Sequence, residues 1–149
     1  GHFLSAVYCH INLKEGIMTS ANAGHLPILK VGLNGEYEFI NSKGRILCEA
    51  FSMNSEEATT NLKVGDKIIL YTDGITEARN KEQEMFGNDR LIEISLSFHF
   101  DSSSDLCNKI YDSVLSFTGN SQSQFTDDIT ILVAEYSGRE NMFFSTESL

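Results

Sequence analysis

Residues 68–80 read IILYTDGITEARN, and the reading of this stretch decides the fold. An apolar run, Ile68 to Tyr71, stops abruptly on Asp73-Gly74. Such a run, introduced by a Gly65-Asp66 turn, predicts a strand over Lys67–Thr72 buried on both faces. The Asp-Gly pair that ends it has two readings. It can be an ordinary turn, because Asp and Gly both suit tight chain reversals. It can also be a rigid arm that presents a carboxylate oxygen to a hard metal ion.

A second stretch of the same kind lies downstream. Asp127-Asp128 introduce the β-branched run Ile129 to Tyr136, which predicts another strand. If the two strands are antiparallel neighbours, the end of one lies beside the start of the other, and the carboxylates meet at one sheet edge. Such a cluster repels itself unless a cation sits in it. Mg²⁺ or Mn²⁺ suits it, since hard cations take oxygen ligands and keep several waters. Gly74 would allow close backbone approach. Taken singly, each Asp has a plainer reading: Asp73 as a turn residue, Asp127-Asp128 as a solvated edge or cap.

Around these stretches the chain reads as strands first and helices later. SAVYCHINL, IMTSANAG, ILKVGL and EYEFI predict a meander of antiparallel strands over the first forty residues, and Asn34-Gly35 predicts a type I′ hairpin. NSKGRILCEAF holds one short strand, and the polar SMNSEEATT at 52–60 reads as a loop. Leu91, Ile92, Ile94 and Phe98 fall at mixed helical spacing. Leu106, Ile110, Val114 and Phe117 form one apolar stripe on a helix, capped by a Ser from 102–104 with Asp105 in its first turn. TGNSQSQ reads as a flexible loop. The order predicts an α+β domain, with antiparallel sheets and helices packed on one side. A domain is expected over 1–138, followed by a tail over 139–149.

Bulk properties narrow the function. The chain has 149 residues, enough for one domain with one sizeable core. Its formal charge of −10 argues against nucleic acid as a partner, because phosphate binding needs clustered Lys and Arg. No apolar run approaches the roughly 20 residues of a membrane span. Cys9, Cys48 and Cys107 are widely spaced and form no CxxC, so they read as reduced core thiols of a cytoplasmic protein rather than a zinc site. His25, in the ANAGH loop, is a candidate site-loop residue, as a ligand or a general acid; a structural turn residue is the plainer reading. No His has the partners of a nucleophilic triad, and no phosphate-binding glycine loop is present.

Four segments taken together carry a family resemblance: TSANAGHLPILKV, LKVGDKIILYTDGITEARN, MFGNDRL and FTDDITILVAEY. In order and spacing they resemble bacterial metal-dependent serine/threonine phosphatases of the PPM type, in the branch of sporulation stage II protein E and the sigma-B regulators. The resemblance runs from about Phe3 to Tyr136 and is weak over Asn41–Thr60. It implies an antiparallel β-sandwich flanked by helices and a site holding two Mn²⁺ or Mg²⁺ ions. It also implies hydrolysis of phosphoserine or phosphothreonine by a water that the metals make more acidic. By the same resemblance Asp73 and Asp127 are metal ligands, while Gly74 and Asp128 are auxiliary. No catalytic residue beyond the ligands is assigned.

The family's two earlier acidic motifs, which bridge its metals, are not found. The resemblance therefore implies the C-terminal part of a phosphatase domain, N-terminally incomplete, with half of a two-metal site, weak or no metal binding and weak or no activity by itself. Exposed strand edges would then favour homodimers or strand exchange. The implied partner is a phosphorylated signalling protein, such as an anti-sigma-factor antagonist, in bacterial sigma-factor regulation. The alternative is a non-catalytic protein-interaction module that keeps the fold.

Overall fold

The computed structural model describes residues 2–48, 56–119, 127–138 and 142–148. In chain order the elements are β1 (Phe3–Leu4), β2 (Ala6–Asn12), β3 (Ile17–Ala23), β4 (Ile28–Val31), β5 (Tyr37–Ile40), β6 (Leu47–Cys48), β7 (Glu57–Asn61) and β8 (Lys67–Tyr71). They continue as α1 (Asp73–Thr76), α2 (Gly87–Ser97), α3 (Ser103–Phe117), β9 (Thr130–Tyr136) and β10 (Met142–Ser148).

The strands form a five-stranded sheet in the order β10-β9-β8-β4-β5, a three-stranded sheet β2-β3-β7 and a small pair β1-β6. All of these pairings are antiparallel. The expected α+β sandwich is thus the observed architecture, with α2 and α3 on one face of the larger sheet and the smaller sheet on the other.

Alternation along the central strands builds two cores. From β8, Ile69 and Tyr71 face the helices, where they meet Leu29 and Val31 of β4, Ile131 and Val133 of β9, and Leu91, Leu106, Ile110 and Val114 of the helices. Ile68 faces the other way and joins Met18, Ile28, Ile40, Leu62, Ala134 and Tyr136 between the sheets. A strand apolar on both faces is what a central position between two cores requires, and β8 is that strand. Its first residue, Lys67, is buried too. Its ammonium donates to Glu135 at 3.1 Å and to the His99 carbonyl at 3.0 Å.

The stripe predicted for α3 is the one buried. Leu106, Ile110 and Val114 are inaccessible to solvent. Ser102 caps the helix, its Oγ accepting the Asp105 N–H at 3.1 Å. That bond satisfies one of the donors that a helix start leaves open.

Three local expectations differ from the structure. Residues 52–60 were expected to be a loop, yet Glu57–Asn61 form β7 against β3. Its polar residues are tolerated because β7 lies at a sheet edge, where every second side chain faces water. Residues 49–55 lie outside the described part.

The Asn34-Gly35 hairpin is also of another kind than type I′. Gly35 N donates to Gly32 O at 3.0 Å, and Gly32 N to Glu36 O at 2.8 Å. Only Gly35 has positive φ, at 76°. This is a three-residue loop in which a single left-handed Gly closes a type I turn.

Finally, Met142–Ser148, within the stretch expected to be a tail, pair with the whole of β9. Without β10 the outer edge of β9 would be open, and pairing satisfies it. The loop expected at 118–124 lies, from residue 120 onward, outside the described residues.

Candidate metal-ligating edge

The registers bring the predicted residues to one end of the five-stranded sheet. β8 and β9 pair from Lys67↔Glu135 to Tyr71↔Ile131. One step further, the Thr72 N–H donates to the Thr130 carbonyl at 3.0 Å. Asp73 then follows on one chain, and Asp128 and Asp127 precede on the other. The antiparallel neighbourhood required by the sequence reading is therefore present.

Thr72 accounts for the abrupt end of the strand. In a regular antiparallel ladder the Thr130 N–H would return the bond to the Thr72 carbonyl. Instead, Thr130 N–H donates to the Thr72 hydroxyl oxygen at 2.9 Å. The Thr72 carbonyl is thereby released and accepts the Ile75 N–H at 3.1 Å, which starts α1. The same hydroxyl donates to the Asp128 carbonyl at 2.9 Å. One side chain thus replaces a main-chain acceptor, lets the chain leave the sheet at Asp73, and ties down the segment carrying the other two aspartates.

Gly74 seals the junction. A Cβ added there would lie 2.6 Å from the Asp128 carbonyl oxygen and 3.2 Å from that of Asp127. No other residue type allows this approach. Ile75, fully buried, and Ile129, nearly so, anchor the two segments in the core beneath.

The carboxylates themselves are exposed. One Asp73 oxygen accepts the Gly74 N–H at 3.0 Å, and one Asp127 oxygen accepts the Asp128 N–H at 2.8 Å. Each of these carboxylates keeps a second oxygen outside these bonds. The donor set is all oxygen, as hard divalent cations prefer. Among the described residues, however, no group of three or more His, Cys, Asp or Glu side chains converges on one point. Asp73 and Asp127 fit a Mn²⁺ or Mg²⁺ ion by donor type, as part of a ligand set rather than a complete one.

His25 lies in the connection between β3 and β4, at the same end of the sheet. Its backbone N–H donates to the buried Asn22 side chain at 2.8 Å, and Asn22 Nδ2 donates back to the His25 carbonyl at 2.9 Å. Its ring Nδ1 lies 3.2 Å from the Leu26 carbonyl. These are the contacts of a shaped turn. None of its hydrogen bonds among the described residues reaches Asp73, Asp127 or Asp128.

Thr72 was missed by sequence reasoning. Its signal was available: a hydroxyl residue at the junction of an apolar strand and an Asp-Gly, opposite a second Thr at the start of the partner strand.

Comparison with known proteins gives the family. The stage II sporulation protein E (SpoIIE) family profile matches residues 1–137. The chain belongs to that family. It is 30% identical over 132 residues to protein IcfG of Synechocystis and 28% identical over 134 residues to the phosphoserine phosphatase RsbU of Bacillus subtilis. It spans 87% and 88% of its own length in these matches, but only 20% and 38% of theirs.

Among solved structures, it resembles the SiaA-PP2C domain of Pseudomonas aeruginosa, with a TM-score of 0.75 at 16% identity, over 88% of this chain and 51% of that one. It also resembles the phosphatase domain of SpoIIE from Bacillus subtilis, in a manganese-presoaked crystal, with a TM-score of 0.68 at 15% identity, over 92% of this chain and 58% of that one. These likenesses establish the fold, and the shared fold is that of phosphatase domains. Among the described residues no helix is long and apolar enough to cross a membrane.

Proposed function

We propose that this chain forms part of a metal-dependent phosphatase domain that hydrolyses phosphoserine or phosphothreonine on a signalling protein. The observation that carries the reading is the seating of Gly74 against the Asp127 and Asp128 carbonyls, which gathers three exposed aspartates at one sheet end. A relative named for phosphoserine hydrolysis, RsbU, supports the reaction class. A manganese-soaked neighbour of the same fold supports the choice of Mn²⁺ or Mg²⁺.

In this reading Asp73 and Asp127 hold the cation through their free carboxylate oxygens. Asp128 tunes the site from beside it, and Gly74 keeps the two segments in contact. When bound, the cation supplies Lewis acidity toward a phosphoryl oxygen and a more acidic water. The chain's own task is orientation: the main-chain N–H groups of Gly74 and Asp128 fix one oxygen of each carboxylate, so that the other is aimed rather than free to rotate.

Two ligands are too few for a pair of metals, so the remaining ones come from outside these residues. The chain by itself is then weakly active or inactive. The substrate is a phosphorylated regulator, with an anti-sigma-factor antagonist as the chemical type, and the setting is the cytoplasm. Among the described residues no further strand pairs with the outer side of β2, which carries exposed Tyr8, and this supports self-association of the isolated chain.

The test is hydrolysis of a generic phosphate ester with Mn²⁺, by this chain and by the chain joined to the upstream part of its parent domain. Activity in the joined form that Asp73→Asn abolishes is the expected result. No activity in either form would overturn the enzyme reading in favour of a protein-interaction module.

A further inference from the structure

We propose that the Thr72 hydroxyl is the positioning group that sets the spacing between Asp73 and the Asp127–Asp128 segment, and hence the affinity of that edge for a divalent cation. The inference rests on the metal reading given above. It adds a residue that touches neither metal nor substrate.

The argument is one of donor and acceptor count. Oγ1 accepts from Thr130 N–H at 2.9 Å and donates to the Asp128 carbonyl at 2.9 Å. Only a hydroxyl can do both with one atom. The two bonds act on different things. The first releases the Thr72 carbonyl to the Ile75 N–H and so turns the chain out of the sheet at Asp73. The second holds the Asp128 carbonyl, against which Gly74 is already seated. Both aspartate-bearing segments are therefore referenced to one oxygen atom.

The N-cap position of α1 is occupied by Thr72, yet its side chain makes no capping bond. Ser and Thr at that position ordinarily serve the helix they precede. Here the hydroxyl is turned across to the neighbouring strand, which is the mark of a clamp rather than a cap. A helix of only four residues gains little from a cap, and the cross-strand bonds serve the edge instead.

Thr72→Val keeps the shape and removes both hydrogen bonds. Thr72→Ser keeps both bonds and removes a methyl. The experiment uses the 149-residue chain, with amide signals followed by NMR. Without metal, Thr72→Val is expected to speed hydrogen exchange at Thr130 by about tenfold, while Leu132 and Ala134, whose N–H groups face β8, keep wild-type rates and report an intact β8–β9 pair. With Mn²⁺, paramagnetic broadening of Gly74 and Asp128 should develop together in wild type. In Thr72→Val the midpoint should rise about 10-fold or more, and Thr72→Ser should restore it.

If Thr72→Val broadens at the wild-type midpoint, Thr72 has no positioning role. If Thr72→Ser behaves like Thr72→Val, the methyl rather than the hydroxyl matters, and the proposal fails. A wild-type chain in which Mn²⁺ broadens neither amide shows that this edge alone holds no cation, and the positioning proposal fails; the metal reading of the joined domain stands or falls separately, by the ester assay.

Discussion

Gly74 lies so close to Asp128 that a Cβ on it would approach the Asp128 carbonyl oxygen to 2.6 Å. The contact is between two backbones, not between flexible side chains. Gly74 does not have positive φ, so the requirement for glycine here is space and not conformation.

Gly74→Ala should therefore act through displacement. Neither the Thr72–Asp128 bond nor the anchored Ile75 and Ile129 can yield freely, so the segments must separate by several tenths of an ångström. Overpacking of this kind costs about 1–3 kcal/mol. Denaturant unfolding should show a lowered midpoint with an unchanged slope, and the Asp128 amide should shift in an NMR spectrum. An unchanged midpoint would mean that the junction is looser than the structure has it.

The helix layer offers an independent check on the larger core. Leu106→Ala empties a fully buried position between α3 and the sheet, where about 2–5 kcal/mol is expected to be lost. Ser102→Ala removes only the cap of the same helix and should cost about 1 kcal/mol. Chemical denaturation of the two variants side by side should preserve that order. A reversed order would show that α3 is held by its terminus rather than by its face.

What could be read in advance follows from how each residue carries its signal. β8 was legible because a strand between two cores must be apolar on both faces, and Ile68-Ile69-Leu70-Tyr71 can be little else. α3 was legible because four apolar residues repeat at helical spacing. β7 was not, because an edge strand needs only pairing partners and can be built from Glu57, Thr59 and Asn61 facing water. β10 was not, because its place depends on the open edge of β9, a property of another part of the chain. That the Asp73 and Asp127–Asp128 segments share one sheet end depended on the strands being antiparallel neighbours, and the pairing of β8 with β9 meets that condition. The Thr72 clamp depends on the direction of a single hydroxyl, which no periodicity encodes.

Asn22 should prove more sensitive than the histidine it supports. It is buried, and its amide uses both ends: Oδ1 accepts from His25 N–H, and Nδ2 donates to the His25 and Leu26 carbonyls at 2.9 Å and 3.4 Å. Asn22→Ala leaves half-buried main-chain groups of His25 and Leu26 without these partners, at a cost of about 1–3 kcal/mol. His25→Ala removes only a half-buried ring whose Nδ1 lies near one carbonyl, and should cost less. Thermal unfolding of both variants checks this. Equal losses would indicate that the ring, and not the Asn22 amide, shapes the loop.

Tyr71 predicts how the fold responds to alkali. Burial pushes its phenol up from about 10 to about 12, because the phenolate would lose its water in the core beneath α1. The folded state therefore holds this proton more tightly than the unfolded state does. Below pH 10 both states are protonated, and the full contribution to stability is present. Between about pH 10 and 12 the unfolded chain releases the proton first, so stability falls as pH rises through that window. Tyr71→Phe removes the titration. It also gives up only the long contact of the hydroxyl with Asn88, at 3.4 Å. Urea midpoints measured from pH 8 to 11 should decline more steeply for wild type than for Tyr71→Phe. Parallel curves would place the alkaline loss on the other tyrosines or on the lysines instead.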